Sequence, residues 1–277
     1  MLLFLFRKVK RCSGDLAKLA GNINVTHGVP VIGIPSRTTL FCDFDGPVVD
    51  VSDRYYATYC LSVERMMTEV GLANHCKLLS KQQFWYLKQQ RVPDFEIALR
   101  SGVPENQVER FLCIVRNEVN QPFLLQKDRL QPGIRWALEL LHSQGIRLVL
   151  VTLRRQAQVQ DLLQSYRLNH LFKVVWGTQD CDAAYRNSIE SKCALLAHAW
   201  SHDCKQYGTP RYAWMVGDTE ADIVAGQVNN IETVALTCGI RSRSYLAQYR
   251  PNYICDDLVS VTHSLVHGTP VSSSWGC

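Results

Sequence analysis

Two aspartates stand either side of Phe44 in Thr38–Asp50 (TTLFCDFDGPVVD), with Gly46-Pro47 directly after them. Side chains two apart in extended chain share a face, so Asp43 and Asp45 project together from one strand end. Like charges that close repel, and a protein core accepts neither of them unpaired. Such a pair is either held by a cation or has its pKa values driven apart for acid/base work. The plainer alternative is an Asx turn that opens the next element. Other residues with chemical potential lie far away in sequence. Thr152 ends the apolar run Ile146–Val151, Gly217-Asp218-Thr219-Glu220-Ala221-Asp222 follows the run Tyr212–Val216, and Lys192 precedes that run on a helical stretch. Each has an ordinary reading alone: a strand-end turn for Thr152, a surface lysine for Lys192, an N-cap with a first-turn acid for Asp218 and Asp222.

What must position these residues is legible in the pattern around them. The apolar run before Asp43 predicts a buried strand over 38–44. Residues 50–129 then read as helices: Arg54–Val70, Ser80–Arg91, Asp94–Ser101 and Glu105–Asn120, with Ser80 and Asp94 as N-caps and Gly71 and Gly102 as stops. After Pro132-Gly133 strands and helices alternate, which predicts parallel strands joined by right-handed crossovers. The expected fold is therefore α/β, a Rossmann-like parallel-sheet core at 38–49 and 130–265 with an all-helical cap inserted at 50–129. Residues 1–37 read as an irregular or loosely docked leader, and 266–277 as a polar tail. Ligands of an open parallel sheet bind beyond the carboxyl ends of its strands. Three strands deliver Asp43 with Asp45, Thr152, and Asp218 with Asp222 to that edge.

Composition narrows the partners. A chain of 277 residues with 47% apolar and 20% charged residues suits one globular domain with a sizeable insertion. The net charge of +5, without a basic block, admits a small phosphorylated metabolite and gives no reason to expect nucleic acid. The eleven cysteines are scattered, odd in number and free of any C-x-x-C. Isolated, apolar-flanked ones such as Cys42, Cys113 and Cys193 read as small core residues of a reducing, cytoplasmic setting. No apolar run approaches the ~20 residues of a membrane span. The opening MLLFLFRKVKR is apolar first and basic second, the reverse of a secretory signal. Nothing in the sequence specifies an oligomeric state.

The spaced pieces, taken together, resemble the haloacid dehalogenase (HAD) superfamily. The matching motifs are DFDG at Asp43–Gly46, VTL with Thr152, Lys192, and GDTEAD at Gly217–Asp222, in order over roughly residues 38–260. The segment Leu236–Leu258 is similar to the family's closing stretch. One motif is weak; four in order are not. The resemblance implies Mg²⁺ held by Asp43, Asp218 and the main-chain carbonyl of Asp45, with Asp222 binding it directly or through a water. It further implies Asp43 as nucleophile and Asp45 as the acid and base. Thr152 and Lys192 would hold the phosphoryl group. An acid at Asp45 favours phosphate esters over carbon–halogen bonds, because halide leaves without a proton. The cap after motif one looks like that of phosphoglycolate phosphatases and β-phosphoglucomutase. The expected function is thus a Mg²⁺-dependent phosphatase for a small phosphate monoester. A β-phosphoglucomutase-like mutase and a non-catalytic HAD-fold binding protein are the alternatives. Pro47 stands where many relatives carry Thr, which stiffens the turn beside the acids.

Weaker candidates have plainer explanations. Lys77, Lys81, Lys88, Arg91 and Arg100 of the cap suit solvated helix faces better than a substrate anion. His198, His202 and Cys204 have metal-like spacing but suit a structural role near a helix end. Phe84, Trp85 and Tyr86 suit an apolar cap core better than a cleft wall.

Overall fold

A computed structural model of the chain describes residues 37–72, 75–180 and 182–267. The expected leader, except Arg37, and the expected tail, except residues 266 and 267, lie outside them. The first strand, β1 (Thr38–Cys42), leads through a tight turn to the two-residue β2 (Val49–Asp50). Five helices follow: α1 (Ser52–Glu69), α2 (Lys81–Gln89), α3 (Asp94–Arg100), α4 (Val108–Glu118) and α5 (Pro122–Leu125). The chain returns through β3 (Arg129–Leu130). It then alternates α6 (Ile134–Ser143), β4 (Arg147–Arg155), α7 (Gln156–Ser165), β5 (Phe172–Thr178), α8 (Ala183–Arg186), α9 (Ile189–Tyr207), β6 (Tyr212–Gly217), α10 (Glu220–Val228), β7 (Glu232–Leu236), α11 (Arg243–Ala247), β8 (Tyr253–Cys255) and α12 (Leu258–His267).

Six strands form one parallel sheet in the order β5-β4-β1-β6-β7-β8, with β1 in its interior. Both faces of β1 are covered, which is why its sequence is an unbroken apolar run. Leu40 and Cys42 join the cluster containing Leu138, Leu148 and Val261, while Phe41 joins the opposite one with Val149, Leu196 and Met215. Burying each large aliphatic or aromatic side chain in such layers stabilises by roughly 1.5–3 kcal/mol. The inserted helices pack around their own centre of Tyr59, Val63, Met66, Phe84, Ile97 and Phe111. Their two connections run side by side as an antiparallel ribbon, Val49 opposite Leu130 and Asp50 opposite Arg129.

Local chemistry explains most boundaries and two departures from expectation. Ser80 caps α2 in a capping box with Gln83, and Gly71 and Gly102 adopt positive φ where helices stop. Asp94 does not cap α3. Pro93 holds the extended cap position, so Asp94 enters the first turn and its carboxylate is free to bind elsewhere. The helix expected over Glu105–Asn120 opens as a 3₁₀ turn at Glu105–Gln107 before α4.

Candidate active site

The turn after β1 sets the floor of the site. Asp43 N–H donates to the carbonyl of Val216 (2.9 Å) and thereby ties this turn to the end of β6. Gly46, at φ 92°, bends the chain back so that Val48 and Val49 N–H reach the Phe44 carbonyl. Phe44 points into the core, whereas Asp43 and Asp45 line a cleft of about 290 Å³ between the sheet edge and the cap helices. Thr152, Arg154, Asp218 and Thr219 share that cleft.

Carboxylates meet one buried cation at its base. Asp43, Asp218 and Asp222 can each present an oxygen such that all three lie within 4.8 Å of one another. Lys192, 1% exposed, places Nζ 3.0 Å from Asp43 Oδ2 and 2.8 Å from Asp222 Oδ1. Asp222 Oδ2 also accepts from the backbone N–H and hydroxyl of Thr219, closing a capping box. Its nearest partners are therefore Lys192 and Thr219. Asp218 differs: Oδ2 accepts from Ile240 N–H (2.7 Å), but Oδ1 is buried without a hydrogen-bond partner. A buried carboxylate oxygen left so is costly unless a ligand completes it. An oxygen-rich donor set of this kind suits Mg²⁺. Burial raises the carboxyls of Asp43, to about 7, and of Asp218, the latter also repelled by Asp222 and Asp43; Lys192 pulls Asp43 back only in part. Burial alone would depress the Lys192 ammonium, but Asp222 and Asp43 hold its pKa above the ordinary range.

Asp45 goes the other way. Burial would raise it, yet Arg154 and Arg54 outweigh burial and hold its carboxyl below the usual range. Arg54 Nη2 lies 2.8 Å from Oδ2 and Arg154 Nη1 lies 2.9 Å from Oδ1. The pKa values of the two aspartates are thus driven apart, with Asp45 as the stronger acid. Thr152 Oγ1 accepts from Arg154 N–H (3.2 Å), which is the strand-end turn; its hydroxyl proton remains available to a ligand.

Several residues here were not singled out by sequence. Arg54 reads there only as the start of a helix, and Asp128 and Arg154 carry no motif. Arg154 had one available signal: two residues beyond Thr152, on the same strand, it faces the same way. Glu220, between Asp218 and Asp222, accepts from Arg241 (2.9 Å) and from Arg91 of the cap (2.9 Å). Of the cap cations, Lys88, Arg91 and Arg116 reach the cleft, whereas Lys81 and Arg100 pair with Asp53 and Glu96. The aromatic walls are Tyr55, Phe95 and Tyr185. Phe84 instead stacks on Tyr59 in the cap core, and His198 and His202 pack edge-on against Trp176.

Known proteins resemble this chain in sequence and in architecture. A phosphoglycolate phosphatase of Haemophilus influenzae is 30% identical over 139 residues, 50% of this chain and 58% of that protein. The pyrophosphatase PpaX of Bacillus cereus is 27% identical over 162 residues, 57% of this chain and 69% of that protein. The chain thus spans little more than half the length of the first of these relatives. Among solved structures, a haloacid dehalogenase-like family hydrolase of Streptococcus pneumoniae superposes with a TM-score of 0.57 at 21% identity. That match covers 81% of this chain and 96% of that one, and it speaks for the fold. Residues 40–236, well over half the chain, match the haloacid dehalogenase-like hydrolase family, and the chain belongs to it.

Proposed function

We propose that this protein is a Mg²⁺-dependent phosphatase that hydrolyses a small phosphate monoester through an aspartyl-phosphate on Asp43. One observation carries the reading: a buried Asp43, held by Lys192, shares one small cleft with Asp45, Thr152 and an incompletely satisfied Asp218. Residues 50–129 act as the cap over a core of 38–49 and 130–265. The relatives named as phosphatases favour the same chemistry. A cytoplasmic location fits the eight free cysteines among the described residues, and no described helix is long and apolar enough to cross a membrane.

Asp43, Asp218 and the Asp45 main-chain carbonyl would hold the ion, with Asp222 outside them securing Lys192. When bound, Mg²⁺ supplies positive charge against the phosphoryl oxygens. Asp43 attacks phosphorus as the bond to the ester oxygen breaks, and Lys192 offsets the repulsion between carboxylate and phosphate. Thr152 donates its hydroxyl to a phosphoryl oxygen. Asp45 gives its proton to the departing alcohol, then takes one from the water that cleaves the aspartyl-phosphate, which releases phosphate and regenerates Asp43. The two guanidiniums favour the carboxylate of Asp45. A phosphoryl dianion arriving beside it raises its pKa, the sense that proton donation requires.

The test is phosphate release from phosphoglycolate, glycerol 3-phosphate, glucose 6-phosphate, pyrophosphate and 4-nitrophenyl phosphate, with and without Mg²⁺. Turnover should need the metal and fall by at least a thousandfold in Asp43→Asn. No release in the presence of Mg²⁺ by folded protein would abandon the phosphatase in favour of a mutase or a binding protein.

A further inference from the structure

Beside the cleft, four charged side chains close into a ring. Asp45 contacts Arg54 (2.8 Å) and Arg154 (2.9 Å), and Asp128 contacts the same two, Arg54 at 3.0 Å and Arg154 at 2.7 Å. The members come from four places: the turn after β1, the first turn of α1, the residue before β3, and the end of β4. Arg54, Arg154 and Asp128 have side chains no more than 2% exposed, while Asp45 alone opens toward the cleft at 18%. Asp128 does not line the cleft and cannot touch a substrate lying there.

We propose that Asp128 is a positioning residue for Asp45, acting through Arg54 and Arg154; this rests on the phosphatase reading above. A buried ion network is a poor device for stability alone, because well-packed apolar side chains of similar volume commonly do as well or better. This ring is neutral in sum, and its one outlet is the carboxylate assigned to proton transfer. Arg154 shows how much depends on Asp128. Its Nε and Nη2 have no hydrogen-bond partner, its guanidinium lies over the Phe44 ring at 5.6 Å, and Nη1 is shared between Asp45 and Asp128. With the Asp128 charge removed, both guanidiniums are left with Asp45 as their one acidic partner among the described residues. Their full pull then falls on Asp45, which shifts its carboxylate and holds it more firmly away from a leaving oxygen.

The measurement is kcat/KM for 4-nitrophenyl phosphate, whose leaving group needs little protonation, against the alkyl phosphate of the panel that is turned over fastest. This ratio covers the steps through leaving-group departure. Asp128→Asn should lower kcat/KM at least tenfold for the alkyl ester and no more than threefold for the nitrophenyl ester. In an Asp45→Asn background the same change should add less than twofold on the alkyl ester, because its route of action is already gone. Arg54→Lys, which keeps the charge but loses the two-pronged contact, should show the same ester selectivity and serves if Asp128→Asn does not fold. Equal losses on both esters, no loss, or a full further loss in the Asp45→Asn background would overturn the assignment. A wild-type protein that turns over 4-nitrophenyl phosphate but no alkyl ester would overturn the assignment alone, whereas one that releases phosphate from nothing in the panel would overturn the phosphatase reading and the assignment with it.

Discussion

At Asp43 and Asp45 the same covalent group is driven in opposite directions by its neighbours. Asp43 is buried against two other carboxylates with one lysine, and its pKa rises from an ordinary 3.8 to about 7; Asp45 meets two guanidiniums and falls. The linkage has a definite sign. A carboxyl raised in the folded state binds its proton there at pH values where the unfolded chain has lost it, so metal-free protein should lose stability as pH climbs from about 5 to 7. Asp45 contributes the opposite slope, but only as pH falls below its unfolded value of 3.8, outside that window. Thermal midpoints in chelator should therefore decline from pH 5 to pH 7. Saturating Mg²⁺ at pH 7 should restore several degrees, since a ligand at about 100 times its Kd adds about 2.7 kcal/mol. A flat profile would contradict the buried carboxylate cluster. Asp43, Asp45, Thr152 and Asp218 were legible in sequence because each stands at a strand end, and Lys192, a lone helical lysine, only through its order among the other three motifs. Arg54, Asp128 and Arg154 were not: Arg154 and Asp45, for example, meet across 109 residues, and no local pattern records such a pairing.

Among the elements, the loops that close over Asp218 are shaped by missing side chains. A Cβ on Gly239 would stand 1.9 Å from Asp218 Oδ2, one on Gly46 2.2 Å from Asp218 Cγ, and one on Gly217 2.1 Å from Asp222 Cγ. Gly239→Ala should consequently displace the Asp218 carboxylate and weaken Mg²⁺ binding about tenfold or more, read by calorimetric titration. Unchanged affinity would mean that Asp218 is not a ligand. The alternating strands and helices were legible because burial on both faces demands long apolar runs. The hinge ribbon of β2 and β3 was not, since two residues per strand establish no period. Nor was α8, whose four residues show less than two turns of pattern.

Across the whole molecule, the cap is joined to the core by contacts besides its two connecting strands. Arg91 reaches Glu220, Ser242 N–H donates to the Gln89 carbonyl (3.0 Å), and Tyr185 donates to Asp94 (2.7 Å). Arg91 is 43% exposed, so its pair is worth under about 1 kcal/mol and is screened by salt. Arg91→Ala should raise KM by two- to fivefold with kcat little changed, and the difference should shrink at high ionic strength. An equal fall in kcat would place Arg91 in the chemistry instead. Glu220, which receives Arg91, stands one residue from Thr219 and two from Asp218, at the start of the same helix. On the proposed reading, cap and Mg²⁺ would act on one turn of backbone, and any free energy that links them is reciprocal. A substrate that draws the cap down must tighten the grip on the metal by the same factor as the metal tightens the grip on the substrate, so their apparent dissociation constants fall in step.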